Sequence, residues 1–254
     1  MNNLIEMQQR STLFFGHHQG LAHIRLSQPM RGNALSADLV EEIHAALDEC
    51  EKKNIRSLIL TGEGRHFCTG MDLSGLENET DASLLWRFVR IEQLLDRIWH
   101  APFTVMAFAT GRTWGAGADL FCVASLRWVT EDASFRFPGA QFGLALGSGR
   151  LAKRIGSDQA REWILRNQAI DAQEAIRSRL VSHSGHAEDF FKLVDTLHET
   201  NTTTVQTQQM IHAATRANES DASLAALVRS AARPGLKHRI QQYRDSLQKL
   251  PPNH

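Results

Sequence analysis

The sequence predicts an α/β fold: a mainly parallel sheet with helices packed on it, followed by a helical C-terminal region. Three observations predict it. Short buried strand-like runs alternate with amphipathic helices between residues 13 and 130, the pattern that parallel sheets require. Two of those runs lead directly into glycine-rich turns, LILTGEGRHFCTGMDL at 58–73 and VMAFATGRTWGAGADL at 105–120. After about residue 186 the chain becomes polar and helical, with a Thr-rich loop at 200–204. Residues 1–186 are read as the core and 187–254 as a helical region suited to oligomerisation.

The elements follow in order. Leu13 to Phe15 and Leu21 to Leu26 are β-rich runs, and His17-His18-Gln19-Gly20 between them reads as a hairpin turn. Leu39, Val40, Ile43, Ala46 and Leu47 recur at helical spacing over 36–50, with Ser36 placed to cap. Ser57 to Thr61 is a buried strand. Leu84, Phe88, Ile91, Leu95 and Ile98 mark a helix over 83–99 that Pro102 stops, and Phe103 to Ala109 is the next strand. Leu126 to Thr130 is a further strand, and Asp171-Ala-Gln-Glu174 is a capping box opening a helix.

Composition excludes several classes. At 254 residues, 42% hydrophobic and 22% charged, the chain is an ordinary globular length with one core. Lys plus Arg equals Asp plus Glu at 28 each, so no global field recruits nucleic acid or an anionic membrane. Cys50, Cys68 and Cys122 are spaced for neither a disulfide framework nor a zinc site. The start, MNNLIEMQQR, lacks a signal-peptide pattern, and the apolar run Phe103 to Ala109 is far short of a membrane span. The expected compartment is the cytoplasm.

The two strand-to-glycine turns carry the chemistry. Glycine lets backbone approach a ligand closely, and a helix that opens at such a turn aims free N–H groups outward. Two converging turns can hold one oxygen between two donors, an oxyanion hole. Neither turn is a dinucleotide or Walker motif, since Gly62-Glu-Gly64 and Gly115-Ala-Gly117 both lack the further glycine.

These residues resemble a known family. Phe67-Cys-Thr-Gly70-Met71-Asp72-Leu73 is similar to the crotonase pattern F-x-A-G-A-D-L, and Gly111-x-x-x-Gly115-Ala116-Gly117-Ala-Asp119-Leu120 to its N-G-x-x-x-G-G-G-x-E-L. Pro29 through Asn33-Ala34-Leu35, Ala133 to Gly143 with Arg150-Leu151 and Ile155-Gly156, and Asp171 to Val181 add collinear matches over roughly residues 20 to 185. The resemblance implies a spiral of ββα units, a helical C-terminal region, and homotrimers or homohexamers. It also implies an acyl-CoA thioester as substrate, with CoA entering as part of that substrate and no resident cofactor. The implied donors are the N–H groups of Met71 and Ala116, Asp119 is the implied acid/base, and Gly70, Gly115 and Gly139 line the binding site. Arg31 falls where the family often places a basic residue near CoA phosphates. The chain also departs from the pattern. The two glutamates of a hydratase fall at Asp119 and Gly139, and Gly147-Ser148-Gly149 is shortened, with Leu146 in place of a proline. The resemblance implies an enzyme that stabilises a thioester enolate, with hydratase or double-bond isomerase as the family default. One carboxylate suits one-base proton transfer, decarboxylation or thioester hydrolysis better than water addition, so the alternative is a divergent isomerase, decarboxylase or hydrolase of an unusual CoA or carrier-protein thioester; a non-catalytic acyl-CoA binder is the reading from another class. His66, Asp72 and Glu77 are weaker candidates for a replacement base. Cys68 as a nucleophile is weaker still, and His23 and His44 read as core or surface residues.

Overall fold

A computed structural model describes residues 5–216 and 219–248. The chain opens with β1 (Gln8–Gln9), β2 (Leu13–His18) and β3 (Leu21–Leu26), an antiparallel meander in register Leu13↔Leu26 to His18↔Leu21. The pairing runs through His17 and His18, which the sequence reading placed in the turn. Only Gln19 and Gly20 turn, both at positive φ (47° and 84°), the backbone that a two-residue hairpin needs.

From β3 onward the sheet is parallel. Helix α1 (Ala37–Lys52) leads to β4 (Ser57–Gly62), α2 (Asp81–Trp99) to β5 (Thr104–Ala109), and the short β6 (Arg112–Trp114) and α3 (Ala116–Cys122) to β7 (Leu126–Val129). Strand β8 (Ser134–Arg136), α4 (Ser148–Ile155), α5 (Ser157–Arg166), β9 (Ile170–Asp171), α6 (Ala172–Arg177) and β10 (His183–Ser184) follow. The main sheet has the order β1-β2-β3-β4-β5-β7-β10, and β6-β8-β9 form a second, small sheet.

Local chemistry sets the helix starts. Ser36 Oγ accepts from Leu39 N, a cap of the kind worth about 1 kcal/mol. Helix α2 begins two residues earlier than its apolar spacing predicts, because Thr80 and Ser83 cap each other reciprocally. At α6 only half of the expected capping box forms. Asp171 accepts from Glu174 N at 2.7 Å, but the Glu174 carboxylate turns to Arg177 instead.

The two faces of the sheet are buried differently. Leu58, Leu60, Val105 and Ala107 point into the main core with α1, α2 and α3, while Ile59, Met106, Phe108 and Trp128 point to the other side. Phe190 and Val194 of α7 (Ala187–Thr200) cover that second face. The chain continues as α8 (Val205–Thr215), α9 (Ser220–Ala231) and α10 (Leu236–Gln248). Of Leu224, Leu227, Val228, Leu236 and Ile240, expected from their spacing to seek a partner surface, three are instead satisfied within the chain. Leu227, Leu236 and Ile240 are fully buried in the main core and the other two half-buried. Among the described residues of this tail, the large apolar side chains that are exposed are Leu197, Met210, Ile211 and Leu247. Among the described residues no helix is long and apolar enough to cross a membrane.

Candidate active site

The two glycine turns meet at a single β-bridge, Cys68↔Thr113, and a second bridge, Leu35↔Met71, ties the first turn to the Asn33-Ala34-Leu35 segment. Leu35 N donates to Gly70 O (2.7 Å) and Asp72 N to Leu35 O (3.1 Å). These bonds flank Met71, so its own N–H faces away from Leu35 and takes no part in the bridge. On the second loop Trp114 N donates to Cys68 O and Gly115 N to Arg136 O. Ala116 is the first residue of α3, where a helix has no acceptor of its own for the N–H.

Glycine is what permits this approach. Gly70 sits at φ +103°, and a Cβ there would lie 3.0 Å from Trp114 O and 3.5 Å from Ala116 N. A Cβ on Gly117 would lie 2.1 Å from Cys68 O, so α3 can seat on the first loop only with glycine at its second position. Met71 and Ala116 thus line one cleft of about 180 Å³, together with Gly70, Gly115, Gly139 and Asp119.

Asp119 lies one helical turn after Ala116, which carries it to the same cleft. Its carboxyl is buried and its pKa stands well above the carboxylate range, first from loss of water and then from the negative charge of Glu92, with Arg150 opposing in part. Gly147, the left-handed residue before α4, makes room for it: a Cβ there would meet Asp119 Oδ1 at 2.1 Å. Across the cleft Gly139 lies in a 3-10 turn, Pro138–Phe142, and offers no side chain. The remaining wall is apolar, with Leu73, Phe88, Phe142, Leu144 and Leu146. Ser148, whose Oγ donates to Leu146 O, is a polar neighbour the sequence reading did not single out.

The tail closes this cleft from its own chain. Tyr243 and Leu247 of α10 line it, and the Tyr243 ring lies 5.3 Å from Phe142. Arg239 Nε donates to Phe142 O at 2.9 Å, and Lys237 N to Asp81 Oδ1 at 2.8 Å, which docks α10 on the rim. Burial raises the Tyr243 pKa. Tyr243 is the chain's single tyrosine. That was a signal on the page, but helical periodicity alone does not aim it here.

The other candidates take structural parts. His66 Nδ1 accepts from Arg112 N, Asp72 Oδ1 accepts from Ser74 N, and Glu77 O accepts from Lys237 Nζ. None of the three lines the cleft. Cys68 is buried and its thiol is pushed up to about 12 by desolvation, which removes it as a nucleophile at neutral pH. His23 is a core residue bonded to Thr61 Oγ1 at 2.8 Å, its pKa lowered to about 4 by burial and then by Arg25. His44 packs between α1 and α2, near Arg90 O and Arg97. Arg31 is outside the cleft, on the surface, 3.3 Å from Asp72 Oδ2. Among the described residues no group of three or more His, Cys, Asp or Glu side chains is placed to hold a metal ion.

Two strand-to-glycine turns meeting at one cleft, on a layered α/β core closed by a helical tail, match the crotonase class of fold. Solved structures agree. One assigned to the enoyl-CoA hydratase/isomerase group, from Bordetella parapertussis, superposes with a TM-score of 0.88 at 36% identity, over 97% of this chain and 99% of its own. A sequence relative assigned as an enoyl-CoA hydratase in Mycobacterium tuberculosis is 33% identical over 169 residues, 65% of this chain and 68% of its own. The ethylmalonyl-CoA decarboxylase of Gallus gallus is 28% identical over 166 residues, 63% of this chain and 55% of its own. The profile of the enoyl-CoA hydratase/isomerase family matches residues 16–247. The chain belongs to the enoyl-CoA hydratase/isomerase family.

Proposed function

We propose that this enzyme binds an acyl-CoA thioester, stabilises its enolate between the Met71 and Ala116 amides, and moves one proton at the α-carbon through Asp119. The observation that carries this reading is that Asp119 is, among the described residues, the one carboxyl lining the cleft that the two backbone turns border. Polarising the thioester carbonyl makes the neighbouring carbon acidic, and each well-placed donor contributes about 2.7–4 kcal/mol to the transition state. Burial in the apolar cleft raises the proton affinity of Asp119, which suits a carboxylate that takes the proton as the α C–H bond breaks and returns one to the same carbon. Addition of water fits less well, because it needs a second group where Gly139 stands.

The test is deuterium incorporation at the α-carbon of a saturated acyl-CoA in deuterated water, followed by mass spectrometry. Exchange by the wild type that collapses in Asp119→Asn supports the reading. Binding without exchange would instead make the protein an acyl-CoA carrier. A second reaction, decarboxylation of a carboxylated acyl-CoA, is favoured by the same apolar wall, since leaving water destabilises a substrate carboxylate and Asp119 can protonate the resulting carbanion. The resemblance to the Gallus gallus decarboxylase supports testing it. For the assembly we propose a homotrimer or a pair of trimers, with the exposed apolar Met210 and Ile211 of α8 as the place to look for contact. A cytoplasmic setting accords with three free, buried cysteines.

A further inference from the structure

The apolar face of α10 serves two surfaces in turn. Leu236, Ile240, Tyr243 and Leu247 recur at i, i+4, i+7 and i+11, one stripe of the helix. The first two are fully buried in the main core. The stripe then runs off the core, and Tyr243 and Leu247 line the substrate cleft instead.

The helix is pinned in this position. Asp81 of α2 accepts from Gly235 N and Lys237 N, each at 2.8 Å, and so satisfies first-turn donors that a helix leaves free. Arg239 donates to the carbonyls of Phe142, Arg233 and Pro234, and Arg244 Nη1 reaches Leu73 O at 3.4 Å. Phe142 and Leu73 are themselves cleft residues, so these anchors fix where Tyr243 stands relative to the site. Its ring packs on Phe142 at 5.3 Å, and Phe142 lies 6.5 Å from Phe88, which makes one aromatic wall.

The walls differ in what lies behind them. Phe88, Phe137, Leu144 and Leu151 are buried and backed by the core, so trimming one of them would leave a closed hole. Tyr243 is half-buried and Leu247 is 38% exposed, so solvent lies behind this end of α10. Trimming Tyr243 would therefore lengthen the cleft toward the surface. The space inside is small. A cavity of about 150 Å³ takes one benzene ring, so a cleft of about 180 Å³ takes about six carbons.

We infer that Tyr243 is the specificity-determining residue that ends the acyl pocket, and that the substrate class is a thioester with an apolar acyl chain of about six carbons or fewer. The inference rests on the proposed acyl-CoA substrate. A chain whose carbonyl meets the Met71 and Ala116 amides shares the cleft with Tyr243, and each methylene adds affinity only while there is wall left to cover. A longer chain has to push α10 off its anchors or leave its end in water. The ring imposes this limit by bulk, and the hydroxyl is not required for it.

The experiment is calorimetric binding of butyryl-, hexanoyl- and decanoyl-CoA to the full chain, with free CoA as the reference. In the wild type, affinity should rise about fourfold per methylene from butyryl to hexanoyl, and decanoyl should bind no tighter than hexanoyl. In Tyr243→Ala the rise should continue, with decanoyl about tenfold or more tighter than hexanoyl. Tyr243→Phe should keep the wild-type limit. Leu247→Trp should move the limit the other way and remove the gain from butyryl to hexanoyl. Free CoA, which has no acyl chain, should bind all four proteins alike. If Tyr243→Ala fails to fold, Leu247→Trp decides, and a hexanoyl gain equal to wild type overturns the inference. A wild type that keeps gaining affinity to decanoyl overturns it too, as does a folded Tyr243→Ala with the wild-type length profile. In those cases acyl-CoA still binds and only the role of Tyr243 falls. A wild type that binds no CoA thioester of any length overturns the acyl-CoA reading itself, and this inference with it.

Discussion

The two halves of the active site are built from different materials. In the proposed site the half that would polarise a carbonyl is backbone: Met71 and Ala116 would contribute N–H groups, and glycines at 70, 115 and 117 let the loops touch. The half proposed to move protons is side chain: Asp119 is lodged in a niche that Gly147 leaves open, opposite a glycine at 139. Backbone donors survive replacement of their own side chains, so the first half tolerates Met71 and Ala116 where the family pattern has other residues. A carboxylate has no such tolerance, since its reach and its proton affinity are its function. Divergence within the fold is therefore expected to concentrate in the second half.

The largest effect expected follows from removing the one carboxyl. Asp119→Asn should lower α-carbon exchange by about 10²–10⁴-fold while leaving acyl-CoA affinity nearly unchanged. It should also stabilise the protein. Asp119 binds its proton more tightly folded than unfolded, so its burial costs nothing below about pH 4. The cost appears as pH rises through the unfolded value and reaches its full size above the folded one. The melting temperature of Asp119→Asn should thus exceed that of the wild type at neutral pH and match it in acid. A variant that is less stable at neutral pH would mean that Asp119 is held as a paired anion, against the geometry described.

Next in size is the loss of a backbone donor. Ala116→Pro removes one N–H, and proline is acceptable at the first position of a helix, so α3 should still form. Exchange should drop about 10²–10³-fold, the usual effect of one oxyanion donor. Ala116→Ser, which keeps the amide, should stay within a few-fold of wild type. If serine is as damaging as proline, side-chain shape rather than the amide governs this half, and the contrast between the halves fails.

Gly147→Ala tests the niche and should act on stability as well as rate. The new methyl would meet the Asp119 carboxyl at a backbone φ of +65°, so the variant should lose about 1–3 kcal/mol. Gly139 is the counter-case. It has no positive φ, and a Cβ would sit 3.4 Å from Leu144 O, an ordinary contact. Gly139→Glu should fold, and together with Asp119→Glu it should raise crotonyl-CoA hydration above a wild type that hydrates poorly. A wild type turning over crotonyl-CoA at about 10 s⁻¹ or more would show that another residue already supplies the second acid.

How much of this was legible in the sequence divides along the same line. The backbone half was readable because its determinants are local: a strand, then glycine, in two stretches of contiguous sequence. The mainly parallel sheet, the Ser36 cap and the Asp171 half of its capping box were readable for the same reason. Asp119 was readable as one turn beyond Ala116. Gly147, Ser148 and Tyr243 were not assigned to the site, because they reach it from α4 and α10, and no periodicity tells which distant helix will close a cleft. The tail shows the limit most plainly. Leu227, Leu236 and Ile240 have the spacing of an interface, yet they pack on their own core, and apolar spacing cannot distinguish the two.

The smallest effect should come from Arg31, the one assigned residue that stands apart from both halves. Its side chain is 60% exposed, and its nearest charged neighbour is Asp72 at 3.3 Å. An exposed pair of this kind contributes about 0–1 kcal/mol and is screened by salt. If Arg31 meets the phosphates of CoA, Arg31→Ala should raise KM by a few-fold at low ionic strength, leave kcat unchanged, and converge on wild type at about 0.5 M salt, where the Debye length has shrunk to a few ångströms. The acyl end would still be held by the cleft, so binding should persist. A loss of a hundredfold or more, insensitive to salt, would mean that Arg31 is desolvated in the complex. The first loop would then recognise its ligand by side-chain charge as well as by backbone, and the contrast between a backbone half and a side-chain half would have to be redrawn.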